Sequence, residues 1–118
     1  MISSDKIKKR IAGTGGAGFV GSNLPCMIAR ERPARSVVAL DNLKQCGNEL
    51  TLSRLAAGGV EFLHGDVGIE GDLAALGAVD CLISCSAEPS VLAGQDRAPR
   101  YVLDANLTGA LDCLEHLR

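Results

Sequence analysis

The stretch Thr14-Gly15-Gly16-Ala17-Gly18-Phe19-Val20-Gly21 decides the fold, because it spaces three glycines as Gly-x-x-Gly-x-x-Gly between an apolar stretch and a helical one. One glycine permits a sharp turn from strand to helix, a second lets the backbone approach a pyrophosphate, and a third lets the helix pack closely on the strand. A helix that begins here directs unpaired N–H groups and a partial positive charge at bound phosphates. The motif indicates a dinucleotide site, although a glycine triplet alone is weak evidence.

An acidic residue at a suitable offset strengthens this interpretation. Asp41 ends the next apolar run, residues 36–40, and follows Gly21 by 20 residues, the offset at which a carboxylate reaches a ribose diol. Asp41 and Asn42 could instead form only an Asx turn. If Asp41 binds ribose, its negative charge disfavours a 2′-phosphate, so we expect NAD rather than NADP.

Three further polar residues have two readings each. Asp66, after the third apolar run, stands where an adenine amino group could donate to it, or is a helix N-cap or turn acid. His64 is interpreted as a strand-end side chain in preference to a catalytic base. Asn106, on an otherwise apolar helix, either caps a neighbouring loop or holds water near a nicotinamide.

Composition narrows the class of protein. The chain has 118 residues, enough for one domain or part of one, with 12 basic and 14 acidic side chains and a net charge of −2. That balance of charge does not favour binding to nucleic acid or to an anionic membrane. Because the sequence has no tryptophan, it offers few side chains on which nucleic-acid bases could stack. Without a spanning segment or signal sequence, we expect a cytoplasmic protein. The basic cluster at residues 6–10 is interpreted as a solvated lead-in.

The five cysteines do not indicate a metal or redox site. They include no Cys-x-x-Cys pair, so we expect no metal and interpret most of them as small buried hydrophobic residues. Cys81 and Cys85 fall on one face of a predicted strand, which favours packing.

Apolar patterning predicts alternating strands and helices. Strands are predicted at residues 11–14, 36–40, 60–64 and 79–85, helices at 16–32, 49–57, 70–76 and 100–117, and an irregular loop at 89–99. The first strand is weak, because Ala12 and Gly13 contribute little packing, and Pro25 predicts a kink in the first helix. The apolar stripe of the last helix is Leu103, Leu107, Ala110, Leu111, Leu114 and Leu117.

This alternation predicts an α/β fold with right-handed crossovers and helices on both faces of a parallel sheet. We expect a partial Rossmann fold, a doubly wound sheet with strand order 3-2-1-4. The order reverses between the first and fourth strands, so the ligand crevice is expected at their carboxyl ends.

Four stretches also carry a family resemblance. They are Gly15-Gly16-Ala17-Gly18-Phe19-Val20-Gly21-Ser22-Asn23-Leu24, Asp41-Asn42-Leu43, Gly65-Asp66-Val67 and Asn106-Leu107-Thr108-Gly109-Ala110-Leu111. Together they resemble the extended short-chain dehydrogenases of the NAD-dependent epimerase/dehydratase family, over nearly the whole chain from residue 9. Residues 60–66 and 87–94 look most like the nucleotide-sugar epimerases of the CDP-paratose 2-epimerase type.

The resemblance implies that tightly held NAD removes a hydride from a sugar carbinol and returns it to the other face of the ketone. It places the glycines at the pyrophosphate, Asp41 at the adenosine ribose, Asp66 and Val67 at the adenine, and residues 85–87 beside the nicotinamide, with Ser90 near the sugar. The candidate cofactor-binding residues are Gly15, Gly18, Phe19, Val20, Gly21, Asp41, Asn42, Asp66, Val67, Cys85, Ser86, Ala87 and Asn106.

The sequence departs from the family at the catalytic pair. Family members use Tyr-x-x-x-Lys, in which the lysine lowers the pKa of the tyrosine, whereas Tyr101 is the only tyrosine here and Ala105 stands four residues later. Ser84 and Ser86 also stand where histidine and alanine are common. We therefore expect residues 1–118 to be an NAD-binding N-terminal domain without catalysis of its own. Its expected ligands are NAD and a nucleotide sugar. We also expect it to self-associate through an exposed fourth strand. The alternatives are a stand-alone regulatory NAD-binding module that pairs with a partner chain, and a degenerate fragment.

Overall fold

Four parallel strands form the centre of the molecule. The computed structural model describes residues 9–88, residue 95 and residues 99–118. The strands are β1 (Arg10–Thr14), β2 (Ser36–Asp41), β3 (Glu61–His64) and β4 (Cys81–Ser84). Their order is β3-β2-β1-β4, with Ala12 of β1 opposite Val38 of β2 and Leu82 of β4. The predicted fold class and strand order are confirmed, whereas Ser90 and most of the predicted loop at 89–99 lie outside the described residues.

Helices connect the strands. They are α1 (Phe19–Glu31), α2 (Leu52–Ala57) after a 3-10 turn at Asn48–Thr51, α3 (Glu70–Ala74), α4 (Pro99–Leu103) and α5 (Gly109–His116). A π-helical segment, Asp104–Thr108, joins α4 to α5. The region predicted as one helix is thus three consecutive helical segments. Helix α1 begins three residues later than predicted because residues 16–18 belong to the turn before it.

Hydrophobic residues pack on both faces of the sheet. Strand β2 is buried on both sides, so alternate side chains serve different layers. Val38 and Leu40 belong to one core with α3 and α5, and Val37 and Ala39 to the other with α1 and α2. The helices bury Leu73 and Cys113 on the first side and Leu55 on the second, and Leu76, just after α3, is also buried on the first side.

Small residues make β1 a good central strand despite its weak propensity. Ala12 is fully buried, and a Cβ added to Gly13 would lie 3.2 Å from Cγ of Pro25. Pro25 is itself buried in α1, which continues through it to Glu31, and the kink at Pro25 stays a prediction. Gly13 therefore lets α1 cross the sheet at close range, with the proline ring in the contact, while Ala12 faces the core on the other side of the sheet.

The apolar stripe of the C-terminal helix does not face the sheet. The leucines of the stripe are 44–66% exposed, and the buried residues of α5 are Gly109 and Cys113. A Cβ on Gly109 would lie 2.5 Å from Cγ2 of Val67, so the helix packs through its small side. In α1, likewise, Phe19 and Met27 are exposed. Periodicity identified these helices correctly but not the side that packs.

The cysteines are less buried than expected. All five are free, and Cys113 alone is buried, while Cys46 and Cys81 are exposed. The interpretation of most of them as buried hydrophobic residues is therefore wrong. Cys85 lies just beyond β4 and does not share a strand face with Cys81. Over residues 9–88, 95 and 99–118, no helix has the length and apolar character needed to cross a membrane.

Candidate functional site

The glycine turn joins the end of β1 to the start of α1 in a very narrow space. Gly15 has φ +64°, and a Cβ on it would lie 2.6 Å from the carbonyl oxygen of Cys85. A Cβ on Gly21 would lie 1.9 Å from the carbonyl oxygen of Gly15, closer than any real contact. Glycine is required at both positions, since one needs a left-handed backbone and the other has no room for a side chain.

The start of α1 is suited to an anion. The N–H of Ser22 donates to the carbonyl of Gly18 (2.9 Å), which makes Gly18 the cap and leaves the N–H groups of residues 19–21 without partners inside the helix. No side chain caps this end, and its first turn contains no acidic residue. The helix therefore presents open donors and its positive end, with Phe19 and Val20 exposed beside them.

Asp41 lies at the carboxyl end of β2 and is buried. Its Oδ2 accepts the N–H of Ala17 in the glycine turn (3.0 Å), and its Oδ1 accepts the N–H of Leu43 (2.7 Å). The bond from Leu43 forms the Asx turn that is one of the two interpretations of Asp41. The bond from Ala17 also links Asp41 to the glycine turn. Each oxygen keeps a lone pair for a further donor. Leu43 has φ +58°, a left-handed conformation that turns the chain back sharply after Asn42.

Asp66 follows β3 and accepts three donors. The N–H of Gly68 donates to its Oδ1 (2.8 Å), while Nδ2 of Asn42 and Nζ of Lys44 each lie 3.2 Å from its Oδ2. Partial burial opposes its ionisation, but the hydrogen bonds and the charge of Lys44 outweigh burial and hold its pKa below the usual value. Asp66 is therefore an anion held open toward the same crevice as Asp41.

The segment after β4 closes the other side of the crevice. The N–H of Cys85 donates to the carbonyl of Thr14 (3.1 Å), which keeps this segment beside the glycine turn. The Oγ1 of Thr14 donates to Oγ of Ser84 (3.4 Å), and Cys113 of α5 is buried in the core that includes Ala12 of β1. Burial raises the pKa of Cys113, so its thiol stays neutral.

These elements enclose one cavity of about 680 Å³. Twelve of the thirteen candidate cofactor residues line it, and the exception is Asn106. Asn106 instead accepts the N–H of Glu88 on its Oδ1 (2.7 Å), which is the loop-capping reading of this residue. His64 is exposed, with Nε2 3.1 Å from the carbonyl oxygen of Asn42.

Sequence reasoning missed several lining residues. Lys44 and Asp104 carry no prediction from the sequence, and Tyr101 is considered there only for the catalytic pair, although all three line the cavity. Nζ of Lys44 lies 5.7 Å from the centre of the Tyr101 ring, a contact between residues far apart in sequence. Only the position of Lys44, three residues beyond Asp41, could have drawn attention to it.

A glycine turn, an open helix start and acids at the ends of β2 and β3 define a nucleotide-binding protein with a Rossmann-like fold. The family model for the NAD dependent epimerase/dehydratase family matches residues 13–118. The chain belongs to this family, which is NAD-dependent.

Known proteins match the chain over part of their length. A dTDP-glucose 4,6-dehydratase of Mycolicibacterium smegmatis is 32% identical over 115 residues, which cover 92% of this chain and 33% of the relative. The chain thus spans about a third of the length of the curated relatives that it matches.

Solved structures agree in fold. UDP-glucose 4-epimerase from Bifidobacterium longum, in complex with NAD+ and UDP, is 25% identical with a TM-score of 0.74 over 92% of this chain and 33% of its own. ADP-L-glycero-D-manno-heptose-6-epimerase of Helicobacter pylori is 27% identical with a TM-score of 0.69, covering 98% of this chain and 37% of its own.

Proposed function

We propose that this chain is the NAD-binding domain, residues 1–118, of a nucleotide-sugar epimerase or dehydratase. The observation that carries the proposal is the glycine cradle, where Cβ atoms on Gly15 and Gly21 would collide with backbone at the mouth of a cavity lined by Asp41 and Asp66. A cradle shaped in this way fits a pyrophosphate, and two acids fit the hydroxyl and amino donors of an adenosine.

Each group has a role in binding NAD. The open N–H groups at the start of α1 bind the pyrophosphate, Asp41 accepts from the adenosine ribose, and Asp66 accepts from the adenine amino group. Residues 85–87 and the exposed Phe19 and Val20 border the nicotinamide side. When bound, NAD supplies a hydride acceptor for a sugar alcohol. The negative charge of Asp41 favours NAD over NADP.

We also propose that the chain alone does not catalyse the reaction. The sequence has one tyrosine, Tyr101, and no lysine four residues after it, so residues 1–118 do not contain the Tyr-x-x-x-Lys pair. The sequence resemblance makes a CDP-sugar the proposed substrate of the complete site. The proposed place of action is the cytoplasm. A purified chain that epimerised a CDP-sugar would contradict this part of the proposal.

A second copy of the chain is the proposed macromolecular partner. Strand β4 is at the edge of the described sheet, and its Cys81 and Ser84 are exposed. Four leucines of the C-terminal helical region are more than half exposed: Leu103, Leu107, Leu111 and Leu114. Unpaired strand edges and apolar surface of this kind favour association.

Calorimetric titration with NAD and, separately, NADP tests the binding proposal. We expect saturable binding that favours NAD. Val20→Asp places a negative charge among the open N–H groups at the start of α1. Val20 is exposed, and an acid at this position stabilises a helix, so the fold should be kept. Because the added charge repels the pyrophosphate, we expect NAD affinity to fall at least about tenfold. Met27→Asp, exposed further along α1, is the matched control and keeps wild-type affinity.

The outcomes separate the alternatives. A chain that unfolds cooperatively but binds neither nucleotide contradicts the proposal and favours a degenerate fragment. Binding that is equally tight in Val20→Asp and wild type would place the nucleotide away from α1. Capture of a separate partner chain, with NAD bound, would favour the regulatory module.

A further inference from the structure

Tyr101 brings an aromatic ring into the cavity from the helix that follows β4. The sequence contains one tyrosine, two phenylalanines and no tryptophan. Of these aromatic residues, Tyr101 and Phe19 line the cavity. Phe19 lies at the start of α1, on the proposed nicotinamide side, whereas Tyr101 lies on α4. An aromatic ring in a nucleotide cavity is a candidate contact for a base, because every base presents a flat π face.

The ring of Tyr101 lies at the proposed adenine end of the cavity. Nζ of Lys44 lies 5.7 Å from the centre of the Tyr101 ring and 3.2 Å from Oδ2 of Asp66. One ammonium group thus contacts both side chains, which places the ring near the carboxylate that is proposed to accept from the adenine amino group. Val67 and Ile69 also line the cavity beside Asp66 and add apolar surface. This end of the cavity therefore combines a hydrogen-bond acceptor with aromatic and aliphatic surface, as a base requires.

Close packing positions the helical segment that carries the ring. A Cβ added to Gly68 would lie 3.6 Å from the carbonyl oxygen of Asp104, and one added to Gly109 would lie 2.5 Å from Cγ2 of Val67. These two contacts hold the segment against the loop after β3. Asp104 follows Tyr101 by three residues, a spacing that puts both on one side of a helix, and both line the cavity. The fold thus fixes where the ring stands relative to the proposed adenine site.

The contact with Lys44 leaves the ring available to a ligand. The side chain of Lys44 is 57% exposed, and cation–π contacts are weak at exposed sites. A base packed on the ring removes more apolar surface from water than a solvated ammonium group does.

We propose that Tyr101 is a base-contacting residue of the cofactor site, and that its ring packs against the adenine whose amino group donates to Asp66. NAD and ADP share this base, so the ring contributes equally to the binding of both. This inference rests on the proposed binding of NAD in the same cavity.

Intrinsic fluorescence tests the contact directly. Because the sequence has one tyrosine and no tryptophan, the tyrosine emission of the purified chain comes from Tyr101 alone. The probe is ADP, which contains the adenine but no nicotinamide. We expect saturable quenching of the emission, with the same dissociation constant that calorimetry gives, because a base packed on the ring changes its surroundings. N-acetyltyrosinamide titrated in the same way corrects for light that the nucleotide absorbs.

Substitution of Tyr101 measures the contribution of the ring. We expect Tyr101→Ala to weaken the binding of ADP and NAD by the same factor, about tenfold, because both lose one base–aromatic contact. Tyr101→Phe keeps the ring and should bind both nucleotides within about twofold of wild type. Leu103→Ala is the matched control, since Leu103 is exposed on α4 and is not among the described residues that line the cavity. It should keep wild-type affinity.

Three results would overturn the inference. Saturable binding of NAD and ADP with unchanged tyrosine emission would place the base away from Tyr101. Unchanged affinity of a folded Tyr101→Ala variant would show that the ring contributes nothing to binding. A loss of NAD affinity without a loss of ADP affinity would assign the ring to the nicotinamide half. If the wild-type chain binds neither nucleotide, the proposed function fails first, and this inference fails with it.

Discussion

Asp66 links protonation to stability at the scale of a single residue. Its folded-state pKa lies below the ordinary carboxyl value of 3.8, because hydrogen bonds and Lys44 outweigh the effect of burial. A lowered pKa stabilises the fold at pH values above the unfolded pKa, and this stability is lost as pH falls through the folded pKa.

We therefore expect Asp66→Asn to reduce the free energy of unfolding at pH 7 by about 1 kcal/mol. The stability difference between wild type and Asp66→Asn shrinks as pH falls below about 4, because the Asp66 carboxylate of the wild-type chain becomes protonated. Urea unfolding followed by circular dichroism at pH 7 and near pH 3 measures both values. A difference that stays constant with pH would mean that the carboxylate charge is not involved.

Gly21 gives a second prediction at this scale. A Cβ there would overlap the carbonyl oxygen of Gly15, so Gly21→Ala is expected to cost at least ~2 kcal/mol and to abolish NAD binding. The matched change is Gly71→Ala in α3, where an added Cβ meets nothing within 4 Å. That variant should gain roughly 0.5 kcal/mol from helix propensity and keep its affinity. Equal melting temperatures for the two variants would contradict the argument.

At the scale of elements, Arg10 ties several strands together at the amino ends of the sheet. Its Nη1 donates to Ser36 of β2 (3.2 Å) and Glu61 of β3 (3.1 Å), and its Nε to the carbonyl of Leu76 after α3 (3.1 Å). The side chain is 25% exposed, so these bonds are partly shielded from water. One side chain on β1 thus connects elements that lie far apart in sequence.

We expect Arg10→Met to destabilise the chain by about 1–2 kcal/mol, because the carbonyl of Leu76 and the carboxylate of Glu61 lose their partner. Arg30→Met is the control: its ion pair with Glu31 is largely exposed and should contribute less than about 0.5 kcal/mol. Chemical unfolding of the two variants side by side measures the difference. Similar losses in both would show that Arg10 acts only as a surface charge.

Element order could be predicted from sequence because its causes are local. A glycine turn with alternating apolar stretches was sufficient for the strand order. The 20-residue offset from Gly21 located Asp41 at the cavity, and the position after the third apolar run located Asp66 there. The packing side of the last helix could not be predicted, since periodicity identifies an apolar stripe but not the surface that covers it. Lys44 and Tyr101 meet only through tertiary structure, so their contact has no local sequence signal.

At the scale of the whole molecule, the proposed self-association has a direct test. If copies pair along β4, sedimentation equilibrium in reducing buffer should give a mass above that of the monomer, rising with concentration. Cys81→Lys puts a charge on the exposed strand edge and should shift the chain toward monomer. Leu50→Lys, at a 77% exposed position in the 3-10 turn before α2, is the control and should leave association unchanged.

A third variant, Leu111→Lys, separates the strand edge from the leucine surface, because Leu111 is 52% exposed on α5 and is not part of the sheet. Association that persists in Cys81→Lys and disappears in Leu111→Lys would place the contact on the helix and contradict pairing along β4. A wild-type chain that is monomeric at every concentration would contradict self-association altogether. Loss of association in Cys81→Lys with unchanged NAD affinity is the result that we expect, since the cavity and the outer edge of β4 share no described residue.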